Sequence, residues 1–354
     1  MTILDNISLA QFTTLGIGGP ATHFTEVTNV ASLVAGVTWA ASHGVPLFVL
    51  AGGSNIVVSD AGFPGLILRL AIKGIEIRFD GDDVFVTAGA GEEWDALVER
   101  CVENNWAGIE CLSGIPGTVG ATPIQNVGAY GQETSDSFVW LDALEISSAQ
   151  LIRISREDCE FGYRVSRFRS RDSGRFVITS VTYRLKVKGK PSVRYPELTR
   201  YLDEQGIREP ALTDVRQAVL AVRRRKAMVI DPNDPDSRSV GSFFMNPVVS
   251  PKEFEQISQR ALKVTPPNSD MPRYPTPEGD IKLSAAWLIE RAGFKPGYVH
   301  GNVGTSSKHA LAIINRGHGT AREVLELAEK IRSRVSDVFG VNLSPEPILV
   351  GFEK

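Results

Sequence analysis

Apolar positions recur at strand spacing through the first half of the chain and at helix spacing through most of the second. THFTEV (22–27) alternates and predicts a short strand, and NVASLVAGVTWAASHG predicts a helix that begins at Thr28 or Asn29 and stops at Gly44. PLFVL (46–50) reads as a buried strand running straight into Ala51-Gly52-Gly53-Ser54-Asn55. GLILRL (65–70) and GIEIRFDGDDVFVTAGAG (74–91) continue as strands, the second with a hairpin turn at Asp80-Gly81-Asp82. Glu92 to Asn105 has a helical pattern with Trp94, Leu97 and Val98 on one face, and FVWLDALEI, QLIRI and RFVITSVTYRLKV alternate as strands. Past Lys188-Gly189-Lys190-Pro191 the texture changes, and helices are predicted over 213–228 capped by Thr213, 251–261 capped by Ser250, 284–292, and 320–339 stopped by Gly340. HALAIIN (309–315) and PILVGF (347–352) read as strands, and 230–241 and 264–279 as proline-rich loops.

One stretch fits neither period. GIPGTVGATPIQNVGAYGQE, from Gly114 to Glu133, holds five glycines, two prolines and a single charge at its end. Glycine admits left-handed backbone and close approach of another molecule. Ile115, Val119, Ile124 and Val127 argue for burial, and buried irregular backbone needs hydrogen-bonding partners. A large polar ligand or a tight internal turn would each supply them. Gly52 to Asn55 offers exposed N–H groups and short donors, which suits a pyrophosphate, although a plain turn is the alternative. Two glycine-rich, charge-poor loops in one region suggest one extended ligand across both.

Composition narrows the class. The 354 residues suffice for two domains, and 42% hydrophobic with 22% charged residues is ordinary for a globular protein. A net charge of -3 gives no case for nucleic acid. Cys101, Cys111 and Cys159 form no CxxC pair and read as reduced cytoplasmic thiols; no leader and no membrane span is expected. Gly16 to Ala21 fits G-x-G-x-x-A, but no strand precedes it and strand-like residues follow, which excludes a dinucleotide turn. There is no Walker A and no GxSxG, and the five histidines lack metal-ligand spacing, so no metal is expected. FGYRVSRFRSRDSGR places five arginines over 164–175, usually a solvated face, yet a buried arginine there would need an anion. Arg223, Arg224, Arg225 and Lys226 cluster without an opposite charge nearby on their helix. Ser242 lies beside two aromatics, and Glu346 is held between prolines.

Gly16-Ile17-Gly18-Gly19, Gly52 to Asn55, Gly114 to Gly120, Pro123 to Gly131, Phe161 to Phe168, Gly241 to Pro247, Lys282 to Glu290 and Pro345-Glu346 follow one another in order. In this the chain resembles the type I members of the UDP-N-acetylenolpyruvoylglucosamine reductase (MurB) family, from Phe12 to Phe352. Thr13, Thr122, Met245, Ala286 and Pro347 depart from the usual pattern without removing a proposed catalytic group. The resemblance implies an α+β fold: an FAD-binding domain of the vanillyl-alcohol-oxidase (PCMH) type over 1–190, then a smaller α+β substrate-binding domain over 191–354.

It implies noncovalent FAD, since neither loop holds a histidine, bound by Gly52, Gly53, Ser54, Asn55, Ser113, Gly114, Ile115, Pro116, Gly117, Val119, Gly120, Ala121, Ile124, Gln125, Asn126, Gly128, Ala129 and Arg223. NADPH would be the hydride donor and UDP-N-acetyl-enolpyruvylglucosamine the substrate, reduced to UDP-N-acetylmuramate for peptidoglycan. Arg164 and Glu346 would polarise the substrate carboxylate, Ser242 would protonate C2, and Tyr163, Tyr195, Lys226 and Asn246 would hold the rest of the substrate. A monomeric cytoplasmic enzyme with no nucleic-acid or membrane partner is expected. Two rival readings are an oxygen-using oxidoreductase on the same fold and a binding protein without turnover.

Overall fold

The computed structural model describes residues 1–264, 271–276 and 278–352. Part of the predicted proline-rich loop over 264–279 therefore lies outside the described residues. The chain packs as two compact units, the first comprising Met1–Ile7, Ala21–Gly53 and Phe63–Val229, the second Ser8–Pro20, Ser54–Gly62 and the chain from Ile230 onward. Both mix helix and strand, so the α+β class expected from the sequence is the one adopted.

In the first unit, Pro20–Val27 and Leu47–Leu50 both pair parallel with Phe63–Leu70, so that Phe24 and Phe48 flank Ile67. Helix Val30–His43 buries Leu33, Val37 and Ala40; Asn29 caps it by accepting the Ser32 N–H at 2.9 Å, and Gly44 ends it in a left-handed conformation. A second sheet runs in the order Gln150–Ser155, Phe138–Glu145, Phe176–Val187, Asp83–Gly89, Ile75–Asp80, all antiparallel. Its hairpin turns at Gly81-Asp82, one register pair beyond Asp80 and Asp83, where the sequence places it. Helix Trp94–Glu103 turns Trp94, Leu97, Val98 and Cys101 into the core, and the Trp94 indole N–H donates to Leu112 O at 3.1 Å. Each such fully buried large side chain stabilises the fold by about 1.5–3 kcal/mol.

The first unit continues past the change of texture at Lys188–Pro191, because two helices pack back on it. Pro196–Glu204 and Leu212–Arg225 bury Leu198, Leu202, Val215, Ala218, Val219 and Val222 around Cys111. The first of these helices has no counterpart in the sequence reading; Pro196 stands in its first turn, where a missing N–H costs nothing. The second begins at Leu212, so Thr213 is not its cap. The Asp214 carboxylate takes over by accepting the Ala211 N–H at 2.8 Å.

The second unit is built around helix Ala321–Phe339, whose buried face includes Val324, Leu327, Ile331 and Val335. Pro251–Ala261 starts at Ser250 as expected, and Ala285–Arg291 follows. Strand Ile348–Val350 pairs parallel with Ile56–Val58, a strand not foreseen in the sequence. Only Ile313–Asn315 of HALAIIN is strand, since His309–Ala312 closes a turn in which the Ala312 N–H donates to His309 O.

A buried carboxyl ties the first unit's loops together. Glu110, 1% exposed, accepts from Gly108 N at 2.7 Å, Ser192 N at 2.8 Å and Gln132 Nε2 at 2.9 Å. Gln132 in turn accepts the Cys111 N–H at 2.7 Å. Glu110→Ala is expected to destabilise the protein by about 3 kcal/mol, because several buried donors lose their acceptor at once. Chemical denaturation measures this; a loss below roughly 1 kcal/mol would show that the network is not a structural tie.

Candidate active site

The glycine-rich stretch is folded by main-chain pairing. Val119 N donates to Glu92 O, Gly120 N to Ala90 O and Trp94 N to Gly117 O, each at 2.9–3.0 Å. A Cβ on Gly52 would lie 2.6 Å from Gly117 Cα, and one on Gly120 2.5 Å from Ala90 Cβ. The two loops that sequence reasoning paired thus touch backbone to backbone in the first unit. Gly114, left-handed at φ 71, donates its N–H to Asp95 at 2.6 Å, and the position of its missing Cβ is 3.4 Å from Arg223 Nε. Ser113 is buried and donates to Glu110 O. Further on, Gly128–Ala129 pairs with Gln132–Glu133 about a turn in which Tyr130 and Gly131 both have positive φ.

Charge is concentrated around this backbone. Burial opposes the Asp95 carboxylate, but the bidentate Arg216 fork at 2.6 and 3.0 Å, the Gly114 N–H and the nearby guanidinium charges outweigh it and hold its pKa below the usual carboxylate value. Burial pushes the Arg223 guanidinium below its usual pKa and the Tyr130 hydroxyl up to about 12. Arg223 donates to Met228 O through Nη2, while its Nε, like Thr118 Oγ1, is buried with no hydrogen-bond partner. Unsatisfied polar atoms beside glycines with no room for a side chain fit a cradle whose missing acceptors and donors belong to a bound polar molecule.

Arg164 sits in a tight turn. Gly162 and Val165 bond each other's main chain, Arg164 itself has φ 56, and its guanidinium donates to Gly128 O at 2.6 Å and Asn126 O at 3.4 Å. The other arginines of the run are engaged by the protein: Arg167, Arg171 and Arg175 all pair with Asp172, 7% exposed on its side chain, and Arg169 donates to Gln125 Oε1 outside the run. The anion sought for a buried arginine is therefore Asp172, a residue of the same run. Tyr195 stands just before its helix with its ring 5.4 Å from Tyr130, and Lys226 pairs with Glu197 of the neighbouring helix at 2.6 Å.

In the second unit, segments 243–245 and 344–346 form a short antiparallel ladder: Glu346 N donates to Phe243 O and Met245 N to Ser344 O. Ser242 follows Gly241, at φ 75, and precedes two phenylalanines that are each 1% exposed. Asn55 donates to Glu346 O at 3.4 Å and accepts the Ile348 N–H at 3.0 Å, fixing the chain on both sides of Pro347. The ladder thus brings Ser242, Glu346 and Asn55 into one neighbourhood. Asn246 uses Oδ1 to accept the Ala285 N–H at 2.9 Å, at the start of a helix. Arg164 belongs to the first unit. Sequence reasoning missed Asp95, Glu110 and Glu133; of these only Glu133, the lone charge of the glycine-rich stretch, carried a visible signal.

Two family models match: "FAD binding domain" over 21–155 and "UDP-N-acetylenolpyruvoylglucosamine reductase, C-terminal domain" over 232–350. A curated relative from Thermobifida fusca named UDP-N-acetylenolpyruvoylglucosamine reductase is 47% identical across 98% of this chain and 97% of its own. Another from Salinispora arenicola is 46% identical across 97% and 94%. The chain belongs to the UDP-N-acetylenolpyruvoylglucosamine reductase family. The crystal structure of such a reductase from Thermus caldophilus, at 23% identity, shares the fold over 99% of this chain and 98% of its own with a TM-score of 0.65. Within this family fold, the matched FAD-binding segment includes Gly52 to Asn55 and the whole glycine-rich stretch from Gly114 to Glu133.

Gly52→Ala is expected to force the two loops apart, since the new methyl meets backbone and not a movable side chain. The purified variant should keep its helix and strand content and lose most of its flavin, read as the flavin-to-protein absorbance ratio. A full complement of flavin would show that the Gly52–Gly117 contact is no part of the cradle.

Proposed function

We infer that this reductase converts UDP-N-acetyl-enolpyruvylglucosamine to UDP-N-acetylmuramate with NADPH as reductant, a step of peptidoglycan precursor synthesis. The observation that supports the reading is the ladder between 243–245 and 344–346, which holds the backbone of Glu346 against Phe243, the residue after Ser242, in a chain of this family. Noncovalent FAD, when bound, supplies the hydride chemistry between NADPH and C3 of the enolpyruvyl ether.

The residues proposed to hold FAD are the two glycine loops from Gly52 to Asn55 and from Ser113 to Ala129, with Arg223 beneath Gly114; within the second loop the Asn126 side chain is left out, because its amide is spent on Glu133, Gly162 and Ser135. Hydride addition to an unsaturated carboxylate develops negative charge on C2 and the carboxylate. Arg164 and Glu346 hold that carboxylate, and one lost stabilising contact of this kind typically costs about 100–1,000-fold in turnover. Ser242 delivers the proton to C2. A serine is a weak acid in water, and the neighbouring Phe243 and Phe244 support a water-poor setting in which its proton can be passed in a fixed network. Tyr163, Tyr195, Lys226 and Asn246 grip the sugar nucleotide. For Lys226 this means leaving or sharing Glu197, a half-exposed pair of modest strength. Among the described residues no helix is long and apolar enough to cross a membrane, and Cys101, Cys111 and Cys159 are free and buried. The enzyme is proposed to be monomeric and cytoplasmic.

Product analysis tests the function: protein, NADPH and UDP-N-acetyl-enolpyruvylglucosamine without oxygen should yield UDP-N-acetylmuramate, one for each NADPH oxidised. No product from flavin-loaded protein would overturn the reading. Ser242→Ala should leave NADPH oxidation by the flavin near the wild-type rate in anaerobic stopped flow and slow reoxidation by substrate about 100-fold or more. Ser242→Cys, which keeps a transferable proton, should recover part of that rate. Equal slowing of both halves would make Ser242 a packing residue.

A further inference from the structure

The Asn126 side chain is turned inward and fully engaged. It is 1% exposed and has φ 45, a left-handed conformation that asparagine tolerates better than most residues. Its Oδ1 accepts the Ser135 N–H at 3.0 Å, and its two Nδ2 protons go to Glu133 Oε2 at 2.8 Å and Gly162 O at 3.1 Å. A primary amide has two N–H donors, so both are spent within the protein. Gly162 is one end of the turn that carries Arg164, and the Asn126 carbonyl also receives the Arg164 guanidinium. The same residue therefore fixes the base of the turn through its amide and the tip through its backbone. Glu133 completes the arrangement: it anchors the amide, and its Cγ lies 2.8 Å from where a Cβ of Gly128 would stand, beside the carbonyl to which Arg164 makes its 2.6 Å bond.

We propose that Asn126 is a positioning residue for Arg164, acting through the Gly162 carbonyl and its own, and that its side chain makes no contact with the cofactor. Arg164 keeps a left-handed backbone while its fork donates to two carbonyls. A non-glycine residue keeps such a backbone only where its surroundings over-determine it. Removing the amide leaves Ser135 N without its acceptor and Gly162 O with the Val165 N–H as its remaining donor, and frees the turn to relax. The guanidinium then no longer waits at the place where the substrate carboxylate gains charge. A displacement of about 1 Å of a positioning group typically costs about 100-fold in rate.

This inference rests on the role proposed above for Arg164, and the test separates the two. Asn126→Ala and Asn126→Asp should retain flavin near the wild-type ratio and be reduced by NADPH at the wild-type rate. Reoxidation by UDP-N-acetyl-enolpyruvylglucosamine should slow about 100-fold. In an Arg164→Ala background, Asn126→Ala should add little further slowing, because it acts only through the missing guanidinium. If wild-type protein fails to be reoxidised by the substrate, the functional reading fails. If it is reoxidised and the two substitutions slow the reaction multiplicatively, or Asn126→Asp loses its flavin, Asn126 does not act through Arg164 and the proposal is overturned. Should Asn126→Ala fold poorly, Asn126→Asp, which keeps the shape while removing both donors, carries the same comparison.

Discussion

The cradle depends on one steric constraint: where Gly52 passes Gly117 there is no room for a Cβ. That contact makes two loops, distant in sequence, into one surface of bare backbone. Gly120 against Ala90 extends it, and Gly114 against Leu220 and Arg223 closes it from the side of the helix Leu212–Arg225. Close approach of this kind leaves main-chain groups without water, so each loop must find partners elsewhere. The residues at 90–94 supply them along one edge, and side-chain carboxyls supply them along the other.

Those carboxyls explain why so apolar a stretch can stay irregular. Asp95 holds Gly114, Glu110 holds Gly108 and Ser192, and Glu133 holds the amide of Asn126. Asp95 works against burial, and its depressed pKa means that its stabilising effect is present above the ordinary carboxylate range and lost as pH falls through the lower, folded value. Arginine is used in the same two ways. Arg167 and Arg175 are consumed by Asp172, whereas Arg164 is aimed at carbonyls, partners that a carboxylate ligand can replace.

Much of this was readable from the residue order. Strong periodicity placed the helices Val30–His43, Pro251–Ala261 and Ala321–Phe339 and the long antiparallel strands, because each has an apolar face and a capping or stopping residue. The pairing of the two glycine loops was inferred from composition alone. What escaped was set by tertiary contacts. Ile56–Val58 is too short to show a period and is a strand only because Ile348–Val350 lies beside it. The helix Pro196–Glu204 is held by the cluster around Leu198 and Leu202, with few apolar residues of its own. Asp95 looks like an ordinary charge in a helical segment and Glu110 like one in the connection after it, since nothing in a sequence marks a carboxyl that will face buried N–H groups.

The central claim is that the cradle holds a flavin which passes reducing equivalents to an enolpyruvyl sugar nucleotide. The most direct measurement is the visible spectrum of purified protein under nitrogen through one full cycle. The oxidised flavin bands should disappear with one equivalent of NADPH and return when UDP-N-acetyl-enolpyruvylglucosamine is added, with oxygen still absent. Bands that return only when air is admitted, or a protein that carries no flavin at all, would contradict it.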